Sequence, residues 1–123
     1  MTKQPDTLTE TVRELIERSG SGLPAVRENP SESDMGPYRD RIDVLDRAML
    51  LLMNERVRCA HAIGAIKKKL GMSVYVPSRE EQVLRNVVAD NAGPLSDAAV
   101  RRLFERVIDE TRSLERHKYQ EEE

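Results

Sequence analysis

The sequence predicts an all-α fold with three main helices, the first of them long, and three observations lead to this prediction. Aromatic residues are only 3% of the 123 residues, whereas sheet proteins draw on aromatic and β-branched side chains. Apolar residues (38%) recur among charged residues (34%) at helical spacing, and no segment shows the period of two that is typical of a strand. Turn-forming residues at Gly71 and at Gly93-Pro94 divide this pattern into three segments.

Residues 1–37 are expected to be an N-terminal extension. Of the first 38 residues 10 are apolar, against 37 of the remaining 85, so burial offsets little of the entropy cost of ordering them. A short helix is expected at 8–18, with Thr9 as its cap, and residues 19–37 are expected to be mostly linker. Because so short a helix is marginal in water, it either docks on another segment or frays.

The domain proper is expected at 38–119, and a long helix from residue 39 opens it. One face of this helix carries a stripe with alternating spacings of three and four, formed by Ile42, Leu45, Met49, Leu52, Arg56, Cys59, Ile63, Ile66 and Leu70. Gly71 provides the residue that ends the helix. About 30 residues of helix span about 45 Å, which two shorter helices cannot cover. The stripe therefore predicts a partner, most simply a second copy related by twofold symmetry.

Two shorter helices are expected to follow. The segment Ser78-Arg79-Glu80-Glu81 predicts a capping box at the start of the second helix, which ends near Asn91. Ser96 is expected to cap the third helix. The buried face of that helix is expected to contain Val100, Leu103, Phe104, Val107, Ile108, Thr111 and Leu114/Glu115. The third helix is expected to fade at Tyr119, and residues 120–123 to form a solvated acidic tail.

Composition excludes several classes of function. The 20 basic and 22 acidic residues give a net charge of −2, which argues against a nucleic-acid binder that works by neutralising phosphates. The longest apolar run, 48–53, is too short to cross a bilayer, and the first residues lack the apolar core of a signal peptide. A single cysteine excludes an internal disulfide framework. A cytoplasmic protein that binds neither nucleic acid nor membrane is therefore expected.

Polar residues at apolar positions are the informative feature of the helices. Arg56 lies in the middle of the apolar stripe, where a buried guanidinium requires a partner, and Lys67 follows about three turns later on nearly the same face. Thr111 and Glu115 continue the buried face of the third helix. The alternative interpretations are an interface ion pair at Arg56 and a solvated helix end at Lys67. Taken together, cations facing a helical interior beside one carboxylic acid suit a small polyanion.

Several motifs resemble those of the all-helical (AroQ-class) chorismate mutases. The resemblance covers about residues 38–118. Its residues are 39–46 (RDRIDVLD), 50–52 (LLL), 55–56 (ER), 63–67 (IGAIK), 74–81 (VYVPSREE), 93–96 (GPLS) and 102–104 (RLF). The resemblance implies an intertwined homodimer of three-helix chains that converts chorismate to prephenate, the branch step towards phenylalanine and tyrosine. It implies no metal and no cofactor, since a pericyclic rearrangement needs neither.

The resemblance also implies that Arg39 and Arg56 are catalytic residues that hold the two carboxylates of the substrate. These residues are 17 positions apart on one helix, a rise of roughly 25 Å, so one chain cannot place both at the same small molecule. If both serve one site, Arg39 comes from the partner chain.

By the same resemblance, Lys67 and Glu115 are catalytic residues that bind the ether oxygen of the breaking bond. Arg79 and Glu80 would form the wall near the ring and its hydroxyl, and Thr111 would line the pocket. Because Glu115 donates a hydrogen bond only when it is protonated, activity is expected to fall as this carboxyl loses its proton.

Val76 is the position at which the chain departs from the family. Many members carry an aspartate there, and a valine side chain cannot hydrogen-bond the ring hydroxyl, so only the backbone of Val76 is expected to bind it. This keeps a 4-amino-4-deoxychorismate mutase as an alternative, with an isochorismate-pyruvate lyase as a weaker one. A third alternative is a non-catalytic helical module that dimerises or docks on an upstream pathway enzyme through residues 1–37.

Overall fold

The computed structural model describes the backbone of residues 6–122 and the side chains of residues 6–117. The helices are α1 (Thr7–Gly20), a short 3₁₀ helix (Glu32–Met35), α2 (Gly36–Leu70), α3 (Pro77–Asp90) and α4 (Asp97–Glu122). The described residues contain no strand, and the prediction of an all-α chain is confirmed. α2, α3 and α4 are the three predicted main helices, and α1 makes the count four. The chain divides into two compact units, Met1–Leu52 and Met53–Glu123.

In the first unit, α1 begins one residue after Asp6. The Asp6 carboxylate accepts a hydrogen bond from the backbone N–H of Thr9 at 2.6 Å, as an N-cap residue does. The prediction of Thr9 as the cap is therefore wrong: its hydroxyl donates to the same carboxylate at 3.0 Å. The helix starts earlier than expected because Asp6 has the extended backbone that a cap requires.

Arg41 fastens the end of α1 to the start of α2. Its guanidinium donates to the Ser19 hydroxyl at 2.5 Å and to the Ile16 carbonyl at 3.0 Å. Between the two helices, Arg27 forms two hydrogen bonds of 3.0 Å with Asp34. Leu8, Leu15 and Ile16 are nevertheless 61%, 52% and 48% exposed, so the apolar face of α1 is not packed against another described segment. Residues 19–37, expected to be mostly linker, include the 3₁₀ helix and the first two residues of α2.

In the second unit, α2 ends at Leu70 as predicted. Gly71 has a φ of +67°, its N–H donates to the Lys68 carbonyl, and the Met72 N–H donates to the Lys67 carbonyl at 2.8 Å. These two bonds are the Schellman arrangement, which places glycine where other residues are strained. The chain then reverses through residues 71–76, hereafter the connector, towards α3.

The predicted capping box at Ser78 is wrong. α3 begins at Pro77, Val76 is its N-cap, and no side chain caps this helix start. Proline favours the first helical position because its φ is preset, and it holds the preceding residue in an extended conformation. Glu81 pairs with Arg101 of α4 at 3.0 Å rather than reaching back to Ser78.

α3 packs against α4, with Leu84 and Val100 buried. The Ser96 hydroxyl accepts from the Ala99 N–H at 3.1 Å, which confirms Ser96 as the cap of α4. The backbone of α4 is helical to Glu122, so the prediction that the helix fades at Tyr119 is wrong, since glutamine and glutamate are good helix formers. Glu123, the end of the predicted tail, lies outside the described residues.

None of the described helices combines the length and apolarity that crossing a membrane requires.

Candidate functional site

A hollow of about 270 Å³ lies in the second unit, lined by α2, the connector, α3 and α4. It brings together six of the eight side chains that the resemblance assigns to a site, although they come from three helices. These six are Arg56, Lys67, Arg79, Glu80, Thr111 and Glu115. A pocket of this size suits a small organic molecule, with a few charged groups to fix its orientation.

Arg56 and Arg79 carry adjacent positive charges in this hollow. Burial, and then the charge of Arg79, lower the pKa of Arg56. No carboxylate among the described side chains forms an ion pair with Arg56, and Arg79 donates to a neutral partner, the side-chain amide oxygen Oε1 of Gln82, at 2.9 Å. Within the described chain, the Arg56 guanidinium is only partly buried and faces the hollow. An ion pair of Arg56 across an interface with a second copy stays a prediction. Two guanidiniums without carboxylates are suited to bind an anion.

Lys67 and Glu115 lie together in the same hollow. The Lys67 ammonium donates to the Val74 carbonyl at 3.3 Å, which holds it against the connector. Glu115 is only 8% exposed. Its burial raises the pKa of its carboxyl, against the opposing effects of His61 and Lys67, which favour the charged form. The protonated acid therefore persists to a higher pH than for an exposed glutamate, and in that form it donates a hydrogen bond.

Glu80 is paired across the wall of the hollow with Arg112. An ion pair joins its carboxylate to the guanidinium of Arg112 on α4. The guanidinium also lies over the ring of Tyr75, 4.5 Å from its centroid, in a cation–π contact. Arg112 and Tyr75 both line the hollow and were missed in the sequence. A signal for Arg112 was present, since it directly follows Thr111 and precedes Glu115 by three residues on one helix.

Thr111 and Val76 are placed differently. Thr111 is buried, and its hydroxyl donates to the Val107 carbonyl at 2.8 Å, so its proton is already used within α4. Val76 is not among the residues that line the hollow. Its carbonyl accepts from the backbone N–H groups of Arg79 at 3.1 Å and Glu80 at 3.3 Å, so neither its side chain nor its carbonyl is set up to receive a polar ligand.

Arg39 belongs to the first unit. There it lines a hollow formed by side chains from residues 24–42, and its guanidinium lies 3.6 Å from the sulfur of Met35. The hollow in the second unit contains no contribution from Arg39. The structure of one chain thus gathers six of the eight predicted site residues and leaves Val76 and Arg39 outside.

Comparison with known proteins gives consistent results. A family model described as "Chorismate mutase type II" matches residues 38–116. The bifunctional chorismate mutase/prephenate dehydratase of Neisseria gonorrhoeae is 46% identical over 80 residues, covering 65% of this chain and 22% of that protein. The protein of the same name from Pseudomonas aeruginosa is 39% identical over 89 residues, covering 68% and 24%. The chain therefore spans about a quarter of the length of these relatives.

A solved structure agrees with these matches. The chorismate mutase (Form II) of Thermus thermophilus superposes with a TM-score of 0.65 at 34% sequence identity, and the match covers 67% of this chain and 93% of that one. The range matched by the family model includes all eight predicted site residues, from Arg39 to Glu115.

Proposed function

This chain belongs to the type II chorismate mutase family, and from that membership we propose that it rearranges chorismate to prephenate in the hollow of its second unit. One observation carries the proposal: two guanidiniums, which have no carboxylate partner among side chains 6–117, face a small hollow that also contains Lys67 and a buried carboxylic acid. Chorismate is a dianion with an ether oxygen, and this set of groups is complementary to both features.

Arg56 and Arg79 provide the positive charge that binds a dianion. The rearrangement requires a flexible substrate to adopt a compact conformer in which the bond-forming carbons approach each other. Bidentate Arg–carboxylate pairs restrict a substrate in this way and convert binding energy into orientation. In the proposed mechanism Arg56 holds one carboxylate, while Arg79 and Glu80 form the wall beside the ring.

Lys67 and protonated Glu115 donate hydrogen bonds to the oxygen of the ether bond that breaks. As the ether C–O bond breaks and the new C–C bond forms, negative charge builds up on the ether oxygen. Donors placed at that oxygen stabilise the transition state more than the ground state. Lys67 donates as an ammonium and Glu115 as a neutral acid. The reaction transfers no proton or electron overall, so these residues act as donors and not as general acid and base.

We expect the protein to deplete chorismate, and the loss of its diene absorbance measures this directly. Mixing the purified chain with chorismate should produce a decay proportional to enzyme concentration, with prephenate as the product. A flat trace at high enzyme concentration would contradict the proposal and favour a non-catalytic helical module. We also propose that this step serves the synthesis of phenylalanine and tyrosine.

A 4-amino-4-deoxychorismate mutase is the second candidate, because Val76 gives a 4-hydroxyl no preference over a 4-amino group. The position offers no side-chain hydrogen bond for a 4-hydroxyl, and its carbonyl is engaged by α3. Running the same assay on both substrates separates the two functions, because the preferred substrate has the higher kcat/KM.

We further propose that the site is completed in a homodimer. Apolar side chains along α2 are too exposed to be the core of one chain, and Ile63, Ile66 and Leu70 are 53%, 57% and 67% exposed. Burying such a stripe against a second copy would remove it from water, at about 25 cal/mol per Å². Arg39 and Arg56 are 17 residues apart on one helix, a rise of roughly 25 Å, and this supports the idea that Arg39 serves the partner's site.

Mixing two inactive variants tests the shared site. Arg39→Ala and Arg56→Ala are each expected to be nearly inactive, because every site in either homodimer lacks one of the two arginines that bind the substrate carboxylates. After subunit exchange, each heterodimer contains one intact site and one site that lacks both arginines. Random exchange should therefore restore about a quarter of wild-type activity. If the mixture is no more active than the separate variants, Arg39 and Arg56 do not serve one site across the dimer.

A further inference from the structure

The ion pair between Arg112 and Glu80 has no place in the mechanism given above. It joins α4 to the first turn of α3 at the wall of the hollow, where both side chains are partly buried at 30% and 26% exposure. The Arg112 guanidinium also lies over the Tyr75 ring, so one side chain contacts α3 and the connector together. Its Nε is buried and has no hydrogen-bond partner among the described residues.

Glu80 is an unfavourable charge for a pocket that takes a dianion. A bare carboxylate in the wall would repel both substrate carboxylates, and partial burial limits the screening of this repulsion by water. The charge persists in the structure because a guanidinium is held against it. Arg112 also approaches Asp109 at 3.8 Å, but the Asp109 side chain is 62% exposed, and solvent screens its charge.

We propose that Arg112 is a positioning residue that neutralises Glu80 and thereby keeps the hollow selective for a dianionic substrate. This inference rests on the proposed function and adds a residue to it. With Glu80 paired, the remaining cations Arg56, Arg79 and Lys67 act on the substrate without an opposing charge. The cation–π contact with Tyr75 holds the guanidinium in the orientation that reaches Glu80.

The chain provides a matched control in the ion pair between Arg101 and Glu81. It also joins α4 to α3, with N–O distances of 3.0 and 3.3 Å, and its side chains are 43% and 45% exposed. Neither residue lines the hollow. Removing this pair tests the stability contribution of an α3–α4 ion pair without changing the charge around the substrate.

The experiment measures kcat and KM for chorismate, together with urea unfolding, in five variants: Arg112→Gln, Arg112→Lys, Glu80→Gln, Arg112→Gln/Glu80→Gln and Arg101→Gln. In Arg112→Gln we expect KM to rise about tenfold while kcat changes by less than about threefold, because the lost term is electrostatic binding common to ground and transition states. Arg112→Lys retains the charge and should stay close to wild type. In the Glu80→Gln background, which leaves no charge for Arg112 to neutralise, the same Arg112→Gln substitution should change KM by less than about threefold. Arg101→Gln should leave KM unchanged.

Three outcomes would overturn the inference. A wild-type KM in Arg112→Gln would show that the Glu80 charge does not act on the substrate. An equally large effect of Arg112→Gln on KM in the Glu80→Gln background would indicate that Arg112 contacts the substrate directly. Equal KM effects in Arg112→Gln and Arg101→Gln would assign both pairs to structure alone. If the wild-type chain does not consume chorismate, the proposed function fails and this inference fails with it. If the wild type is active and Arg112→Gln has an unchanged KM, only the inference fails.

Discussion

Arg56→Lys is expected to lower kcat/KM for chorismate on the order of 100-fold while leaving the fold intact. An ammonium keeps the positive charge but cannot form the two parallel hydrogen bonds that a planar guanidinium makes with a carboxylate. Arg56 has no carboxylate partner among the described side chains, so the substitution breaks no internal ion pair. The loss should therefore appear in steady-state kinetics, and the thermal unfolding curve followed by circular dichroism should not move.

Arg58→Lys is the control for this prediction. Arg58 lies two residues further along α2, is exposed, and pairs with Glu55 at 2.9 Å outside the hollow. The same chemical change there should leave kcat/KM at the wild-type value. Near wild-type turnover in Arg56→Lys would show that Arg56 does not hold a substrate carboxylate. An equal loss of kcat/KM in Arg58→Lys would point to a general effect on α2.

The pH dependence of kcat/KM is expected to follow the ionisation of Glu115. Burial raises the pKa of this carboxyl, so the acid keeps its proton to a higher pH than an exposed glutamate does. Below that pKa the group donates a hydrogen bond to the ether oxygen. Above it the group cannot donate and adds a negative charge where negative charge develops. Activity should therefore be full at low pH and fall about tenfold per pH unit once the pH exceeds the pKa of Glu115.

Glu115→Gln is expected to remove this decline, since an amide donates its hydrogen bond at every pH used. Glu110→Gln is a suitable control, because Glu110 is exposed on α4 and pairs with Arg106 at 2.6 Å. That variant should retain the wild-type profile. A Glu115→Gln profile that still declines as the wild type does would exclude Glu115 as the group whose protonation controls the rate.

The site could be predicted from the sequence where a side chain violated the helical pattern. A stripe of apolar residues is a strong constraint, so Arg56 within it, and Thr111 with Glu115 on the buried face of α4, stood out as unusual. The structure places all three at one hollow. The end of α2 at Gly71 and the Ser96 cap were predictable for a similar reason, since each depends on residues within one turn.

Two kinds of contact were not predicted. Some join residues that are far apart in the sequence, and others arise where two local sequence signals compete. The pairing of Arg112 with Glu80 spans 32 residues and exists only because α4 packs against α3. At the start of α3, two local signals compete. Ser78 and Glu81 match a capping box whose first helical residue would be Arg79, but the helix begins two residues earlier at Pro77. Glu81 pairs with Arg101 instead. A sequence motif cannot weigh a cap against an ion pair that a separate helix provides.

The sparse interior of the described chain has a consequence for how the protein folds. Leu84 and Val100 are its buried apolar side chains, whereas much of the apolar surface of α2 faces outward. If two copies assemble as proposed, association provides the burial that one chain lacks, and folding becomes a bimolecular event. The free energy of unfolding then depends on protomer concentration, and dilution weakens the fold and the substrate site together. Substitutions that strengthen the subunit contact would act on catalysis without touching a catalytic residue.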